Sequence, residues 1–297
     1  MIKLWQLRDW AQRITQLRRR RAADVPRIRR EVSPVFVIGG NRSGTSVVTS
    51  ILSQHPELEG LFGGPLGAKY DEAGHSVGFC ESMHVWHHLA PDDNRRRPLG
   101  HLPYWALPQY VGGAYRERAA DDRERDRLAW AVERHRRTTR APLLKDQFNT
   151  LRVGLIADVF PRARFLLVSR SWQDFTTRSL HKWANDGLGT TLRQPLAGFH
   201  WHLVNLIARY DLEIHAPGRY TTVWLDTLHE GEQQAQQSFA AVARALGLAP
   251  HTFDVSELAR HFAAGEALTA DTAGLADVPA IVGSERAVLE RLRAPQP

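Results

Sequence analysis

The chain opens its legible part with a run of consecutive apolar residues, Pro34 to Ile38, that ends in Gly39-Gly40. A continuous apolar run of this length predicts a strand buried on both faces rather than one with a wet side. "TSVVTSILSQH" follows, with Val47, Val48, Ile51 and Leu52 at helical spacing, and stops at Pro56. The same alternation returns downstream. "APLLKD" reads as a short strand running into a loop, and "FNTLRVGLIADVF" as a helix ended by Pro161, with Leu151, Leu155, Ile156 and Val159 on one side. "ARFLLVSR" is a second hydrophobic strand, leading through a turn to a helix over "DFTTRSLHKWAND". "YTTVWLDTL" is a third strand candidate, and "EQQAQQSFAAVARALGL" a helix closing at Gly247. Before them, "AYRERAADDRERDRLAWAVERHRRTTR" is a strongly charged helix with Leu128, Ala129, Trp130 and Val132 near its inner face. Residues 60–113 show no clean period and read as loops and short helices over a site. Strands alternating with helices predict an α/β fold: a P-loop-like parallel β-sheet flanked by helices on both faces. A basic arm over residues 1–33 and a single domain over 34–297 complete the expected organisation.

Composition changes this picture little, and charge changes it more. A chain of 297 residues, 43% hydrophobic and 24% charged, can bury a full core as an ordinary globular protein. Its one cysteine, Cys80, rules out an internal disulfide and suits a reducing compartment. No apolar stretch is long enough to predict a membrane span, so the expected location is cytoplasmic. The net charge of +7 is unevenly distributed. Residues 1–30 hold ten Lys or Arg against Asp9 and Asp24, leaving the rest of the chain 29 of its 39 basic and 30 of its 32 acidic residues. The balanced body argues against nucleic acid as a partner. The leader places Leu4, Leu7, Trp10, Ile14 and Leu17 near a helical stripe among arginines. Such a segment lies on an anionic membrane surface, making the protein peripheral there, docks on a partner, or packs on its own domain.

The candidate chemistry begins after the first strand. Gly44 follows Gly39-Gly40 at the spacing of a phosphate loop, G-x-x-x-x-G-K-[ST], whose lysine reaches the outer phosphates of a triphosphate. Here Thr45 stands in the lysine's place, and the basic residue is Arg42, inside the loop. Backbone N–H groups of residues 43–47 would converge on an anion at the helix N-terminus, helped by the hydroxyls of Ser43, Thr45 and Ser46. The same residues without a ligand make a tight strand-to-helix turn. His84 and His88 stand four apart, as on one helix face, but no carboxylate or cysteine completes a set, and no metal is expected.

"VFVIGGNRSGTSVVTSILSQHPEL" resembles the 5′-phosphosulfate loop of sulfotransferases that use 3′-phosphoadenosine 5′-phosphosulfate (PAPS), in which R-S-G-T-[ST] follows a hydrophobic strand and His-Pro ends the helix. "LLKDQFNTLRVGLIADVFPRARFLLVSR" is similar to the family's lysine-bearing strand end, helix, F-P-x-A-[RK]-F strand and arginine, and "YTTVWLDTL" to its late strand. The resemblance runs through residues 34–60, 141–185 and 219–248 in order and looks closest to tyrosylprotein sulfotransferases and their bacterial relatives. It implies PAPS as co-substrate, adenosine 3′,5′-bisphosphate as product, and a donor loop of Gly40, Asn41, Arg42, Ser43, Gly44, Thr45 and Ser46. Arg42 would reach the oxygen bridging phosphate and sulfur, where charge grows as the bond breaks. Arg170 matches the family's arginine for the 3′-phosphate, which a guanidinium can hold bidentately; unliganded, it is a strand-end arginine paired with a carboxylate. Where the family has a serine partner in that task this chain has Arg178, with Ser179 next: either the turn is one residue longer and Ser179 serves, or Arg178 takes the task. Lys145 is by resemblance a second cation near the transferring group, or else a strand end paired with Asp146. Asn149 falls where relatives carry His or Asn.

The acceptor's base departs from the pattern. The family's glutamate is missing from its window, which here includes Phe62 to Gly64. The next candidates are Asp71, Glu72, His75 and Glu81, of which His75 and Glu81 are taken as catalytic; a loop position without chemistry is the competing reading. Trp183 and Trp201 either line a pocket or pack in the core. The acceptor pocket is expected from residues 60–113 and 186–205, with a glycan, lipid, peptide or small-molecule hydroxyl or amine as acceptor. Two other readings stay open: a degenerate P-loop kinase or NTPase, and a non-enzymatic surface-binding protein working through the basic arm.

Overall fold

A strand that is apolar at every position needs cover on two sides, and the chain supplies it. The structure, a computed structural model, describes residues 24–40, 42–62, 82, 122–172, 174–175 and 190–266. Residues 24–31 form helix α1. Then come β1 (Val35–Ile38), α2 (Thr45–Leu52), β2 (Leu58–Gly60), α3 (Asp122–His135), β3 (Ala141–Lys145), α4 (Val153–Val159), β4 (Arg164–Ser169), α5 (Thr190–His215), β5 (Tyr220–Trp224), α6 (Glu232–Ala245) and α7 (Ser256–Glu266). The five strands are parallel and lie in the order β2-β3-β1-β4-β5.

Alternate strand residues divide the core in two. Phe36 and Ile38 of β1, Leu144 of β3 and Phe165 and Leu167 of β4 face a layer built from α1, α3, α4 and α5. Val35, Val37, Leu143, Leu166 and Val168 face the other layer, built from α2, α6 and α7. Phe36 stacks on Phe165 with centroids 5.9 Å apart; burying each such ring is worth about 2–3 kcal/mol. Val25, Ile28 and Val32 belong to the first layer, so residues 24–32 pack into the domain core rather than standing off it. Among the described residues no helix is long and apolar enough to cross a membrane.

Three elements differ from the sequence expectation. The helix expected over 148–160 is split: Gln147–Leu151 is a 3₁₀ turn, and α4 begins only at Val153, after Arg152 at φ −122°. The cause is Thr150, whose side chain is turned into the peptide of Gly39 and holds the first turn off the α4 axis. Residues 190–205, read as an acceptor loop, are the first part of the 26-residue helix α5. Its Val204, Ala208 and Leu212 are buried at helical spacing. Strand β2, which the sequence reading did not assign, adds the edge beside β3, with Leu58 paired to Ala141. The charged helix of the sequence reading ends at His135.

His55 is explained by this packing. Only 1% exposed, it donates from Nε2 to the Ala249 carbonyl (2.9 Å) and accepts the Glu57 N–H at Nδ1 (3.1 Å), with its ring against His251 and Phe253. It ties the end of α2 to the segment between α6 and α7. His55→Ala leaves both backbone groups unpaired and is expected to cost about 2–4 kcal/mol. Urea unfolding checks it: the midpoint should fall with an unchanged slope.

Candidate functional site

The order of the strands leaves one crevice. β1 lies between β3 and β4, and the connections leave in opposite directions on its two sides, so the C-terminal end of β1 is where an open parallel sheet offers a ligand site. Lys145 ends β3 level with Val37 on one side, and Arg170 follows the end of β4 on the other.

Gly39 starts the loop at φ 150°, and a Cβ there would run into the Val168 carbonyl oxygen and Ser43 Oγ. Glycine lets β1 turn this close to β4. Thr150 Oγ1 fixes the turn, accepting the Gly39 N–H (2.9 Å) and donating to the Gly39 carbonyl (3.0 Å). Arg42 then takes a left-handed φ of 72°, uncommon for a residue with a side chain, and its carbonyl accepts from Arg170 Nη1 at 3.1 Å. Gly44 is also left-handed, at φ 91°, and its Cα lies against Leu225, where a Cβ would collide. The first helical bond is Val48 N–H to the Gly44 carbonyl. The N–H groups of Thr45, Ser46 and Val47 therefore stand in the first turn of α2, ahead of that bond, as donors for an anion.

One part of the expected donor set is spent elsewhere. Both the N–H (3.1 Å) and the hydroxyl (2.7 Å) of Ser43 are bonded to the Gly40 carbonyl, and Ser43 is buried. Ser43 closes the turn internally instead of presenting its groups to an anion. Ser46 keeps the expected place: its Oγ accepts from Lys145 Nζ at 3.1 Å. The lysine absent from the loop thus arrives from the neighbouring strand. Lys145 is 3% exposed, and its backbone is clamped by Ser82, whose Oγ accepts the Lys145 N–H (3.0 Å) and whose N–H meets the Lys145 carbonyl (2.6 Å). Ser82 Oγ also donates to the Leu61 carbonyl.

Arg170 is 1% exposed. Asp174 pairs with Nη2 at 3.0 Å, as a strand-end arginine would require. Nη1 meanwhile reaches the loop at Arg42, so the guanidinium joins β4 to the anion turn. Trp201 braces it from α5, donating from Nε1 to the Arg170 carbonyl, and is a packed residue rather than a pocket wall. Asp226, past the end of β5, accepts the N–H and the hydroxyl of Ser171 and locks the exits of β4 and β5 together.

The structure thus brings Gly40, Arg42, Ser43, Gly44, Thr45, Ser46, Lys145 and Arg170 to one strand-end crevice. Asn41, His75, Glu81 and Ser179 lie outside the described residues, as do Trp183, His84 and His88. Among the described residues no group of three or more His, Cys, Asp or Glu could hold a metal. Thr150, Ser82 and Asp226 were not singled out in the sequence, since a threonine, a serine and an aspartate at loop positions carry no local signal of their distant partners. Asn149, beside Thr150, is fully buried, and neither Oδ1 nor Nδ2 of its amide has a hydrogen-bond partner among the described residues.

The chain matches the family model described as "Sulfotransferase family" over residues 34–248. No curated protein matches it in sequence. In structure it is similar to the sulfotransferase STF9 from Mycobacterium avium, with TM-score 0.52 and 15% identity over 79% of this chain and 68% of that one. It is also similar to the sulfotransferase STF1 from Mycobacterium tuberculosis H37Rv, with TM-score 0.51 and 16% identity over 89% and 77% of the two chains. At such identities the likeness is one of fold.

An unmet amide in the interior costs about 1–3 kcal/mol, and native proteins meet such groups with water or substrate. Asn149→Leu is therefore expected to leave thermal stability equal or raised while lowering turnover. Lowered stability with unchanged turnover would make Asn149 a structural residue only.

Proposed function

The chain belongs to the sulfotransferase family, and we propose that it transfers a sulfuryl group from PAPS to a hydroxyl or amine of an acceptor. The observation that carries this reading is the Lys145 Nζ to Ser46 Oγ bond at the N-terminus of α2. It sets a nearly buried cation beside three first-turn N–H groups, at the end of a loop whose glycines leave room for close backbone approach. These residues fit a single phosphate joined to a second small anion. A triphosphate loop would carry its lysine within the loop itself.

PAPS supplies an activated sulfuryl group whose sulfur–oxygen bond to phosphate breaks as the bond to the acceptor oxygen or nitrogen forms. The acceptor's proton goes to a base, and the electron pair of the broken bond stays on the phosphate. The α2 N–H groups and Ser46 would hold the 5′-phosphate. Lys145, fixed by Ser46 and by the Ser82 clamp, and Arg42, exposed at the loop's turn, would offset the charge growing on the bridging oxygen. Because these donors are already oriented by bonds within the protein, they need little reorganisation at the moment of transfer. Arg170, joined to the loop through the Arg42 carbonyl, would bind the 3′-phosphate.

For the base we favour Glu81 over His75. Its chain neighbour Ser82 is bonded to the backbone of Lys145 on both sides, which supports a carboxylate next to Ser82 in sequence over an imidazole seven positions away. A chain whose only cysteine is Cys80 needs no oxidising compartment, and we take its place of action to be the cytoplasm. The acceptor stays at the level of a hydroxyl or amine on a glycan, lipid, peptide or small molecule.

Calorimetric titration with adenosine 3′,5′-bisphosphate, beside ADP and ATP with and without Mg²⁺, tests the donor. Metal-free preference for the bisphosphate is expected, with most of that preference lost in Arg170→Ala. Preference for Mg-ATP would replace this reading with a kinase or NTPase. In turnover assays Arg42→Ala is expected to lower kcat by about 10²–10³, and Glu81→Gln by about 10²–10⁴ with bisphosphate affinity retained. Full turnover in Glu81→Gln with loss in His75→Gln would move the base to His75.

A further inference from the structure

The opposite pole of the sheet carries a second concentration of positive charge. There, at the N-terminal ends of β1, β3, β4 and β5, lies a cavity of about 670 Å³ lined by Arg140, Arg162, Arg164 and Arg219, with Glu57 its one carboxylate. Two of these arginines serve helix ends, while Arg140 Nη1 donates to the Leu58 carbonyl of β2 at 3.4 Å. Arg164 Nη1 donates to the Ala245 carbonyl at the end of α6. Arg219 donates to the His215 carbonyl at the end of α5 and to the Pro161 and Ala163 carbonyls. Both complement the negative ends of helices, which in a parallel α/β fold gather at this pole. That task fixes the guanidinium planes while leaving N–H groups over, since each guanidinium has five.

Helix capping does not account for Arg140 and Arg162, which are exposed on the same rim. Of the other acids near this end, Glu31 is paired with Arg27 and Asp158 with Arg125, which leaves Glu57 as the carboxylate facing the four arginines among the described residues. The basic arm enters at this pole as well. Ser33 lines the cavity, and Arg29 of α1 donates to the Asp158 and Val159 carbonyls just before Pro161. Upstream, residues 1–23 add seven basic residues against Asp9, together with the apolar series from Leu4 to Leu17. A body that is balanced overall therefore has one strongly cationic end, continuous with an amphipathic basic leader.

We propose that this pole is a docking face for an anionic phospholipid surface, with Arg140, Arg162, Arg164 and Arg219 receiving headgroup phosphate. Four cations around a cup suit a compact phosphate, whereas a duplex calls for a stripe of charge along its backbone. Strands of four to six residues, about 13–20 Å long, separate this face from the anion loop. Docking would turn the loop away from the bilayer, so that acceptors arrive from the aqueous side. That consequence rests on the proposed sulfuryl transfer; the docking itself does not.

The test is flotation of the full chain with vesicles of phosphatidylglycerol in phosphatidylcholine, against phosphatidylcholine alone, and needs no activity. Wild type is expected to float with the anionic vesicles only, and less with rising salt. Arg140→Gln and Arg162→Gln, which spare the helix caps, should each lower partitioning about fivefold. Arg260→Gln, on α7, should leave it unchanged. Hydrogen exchange on vesicles should show protection around residues 138–140, 161–163 and 217–219 and none at 42–46. Wild-type flotation in both rim variants would overturn the proposal and assign any attachment to the arm alone. So would saturable binding of inorganic pyrophosphate without vesicle binding, or displacement from vesicles by duplex DNA at matched phosphate.

Discussion

A strand buried on both faces has no water to meet its polar groups, and where it ends the last peptide must find partners inside the protein. In this chain that demand falls on Gly39, the first residue past β1, and Thr150 answers it by accepting the N–H and donating to the carbonyl of that one residue. Much of the site follows from this double bond. It pulls the segment after β3 against the end of β1, which explains why residues 147–151 form a 3₁₀ turn instead of joining α4. It also brings the chain that carries Lys145 alongside the loop that carries Ser46. Replacing the threonine hydroxyl by a methyl would leave two buried backbone groups unpaired while leaving every side chain of the donor set in the sequence.

The cations of the crevice are held by the fold rather than by one another. Lys145 is clamped through its backbone by Ser82 and through its ammonium by Ser46. Arg170 is gripped by Asp174, by the Arg42 carbonyl and, through its own carbonyl, by Trp201. Burying such charges is costly unless every donor has a defined place. The hydrogen bonds that meet this cost also fix the direction in which each cation faces. That is the preorganisation which electrostatic stabilisation of a transferring group requires. The left-handed conformation of Arg42 belongs to the same economy, since it aims a loop carbonyl at Arg170.

Seen from both ends, the sheet is an electrostatic object with two different poles. At the C-terminal ends of the strands a helix N-terminus and its neighbouring cations favour a small anion. At the N-terminal ends helix C-termini gather, and arginines come to complement them. Arg164 and Arg219 are required there by the helices; Arg140 and Arg162 are not, and they widen a structural necessity into a basic surface.

Much of this was legible in the sequence, because its strongest signals are local. An unbroken apolar run followed by glycines specifies a buried strand and its turn, and Val47, Val48, Ile51 and Leu52 specify the inner face of the helix that follows. The four longer strands and the turn after β1 were readable in this way, as was the close of α6 at Gly247. The tertiary structure decided what depends on partners distant along the chain. Thr150 broke the periodicity of residues 147–159 because its hydroxyl is committed to the N–H and carbonyl of Gly39. Ser43 turned inward to close the loop, although the motif alone presents it to the ligand. The end of α2 hides His55, whose two ring nitrogens meet Glu57 and Ala249, the second nearly two hundred residues away. Spacing records which residue types stand near one another along the chain. Which hydroxyl meets which peptide is set only when strands from separate parts of the sequence lie side by side.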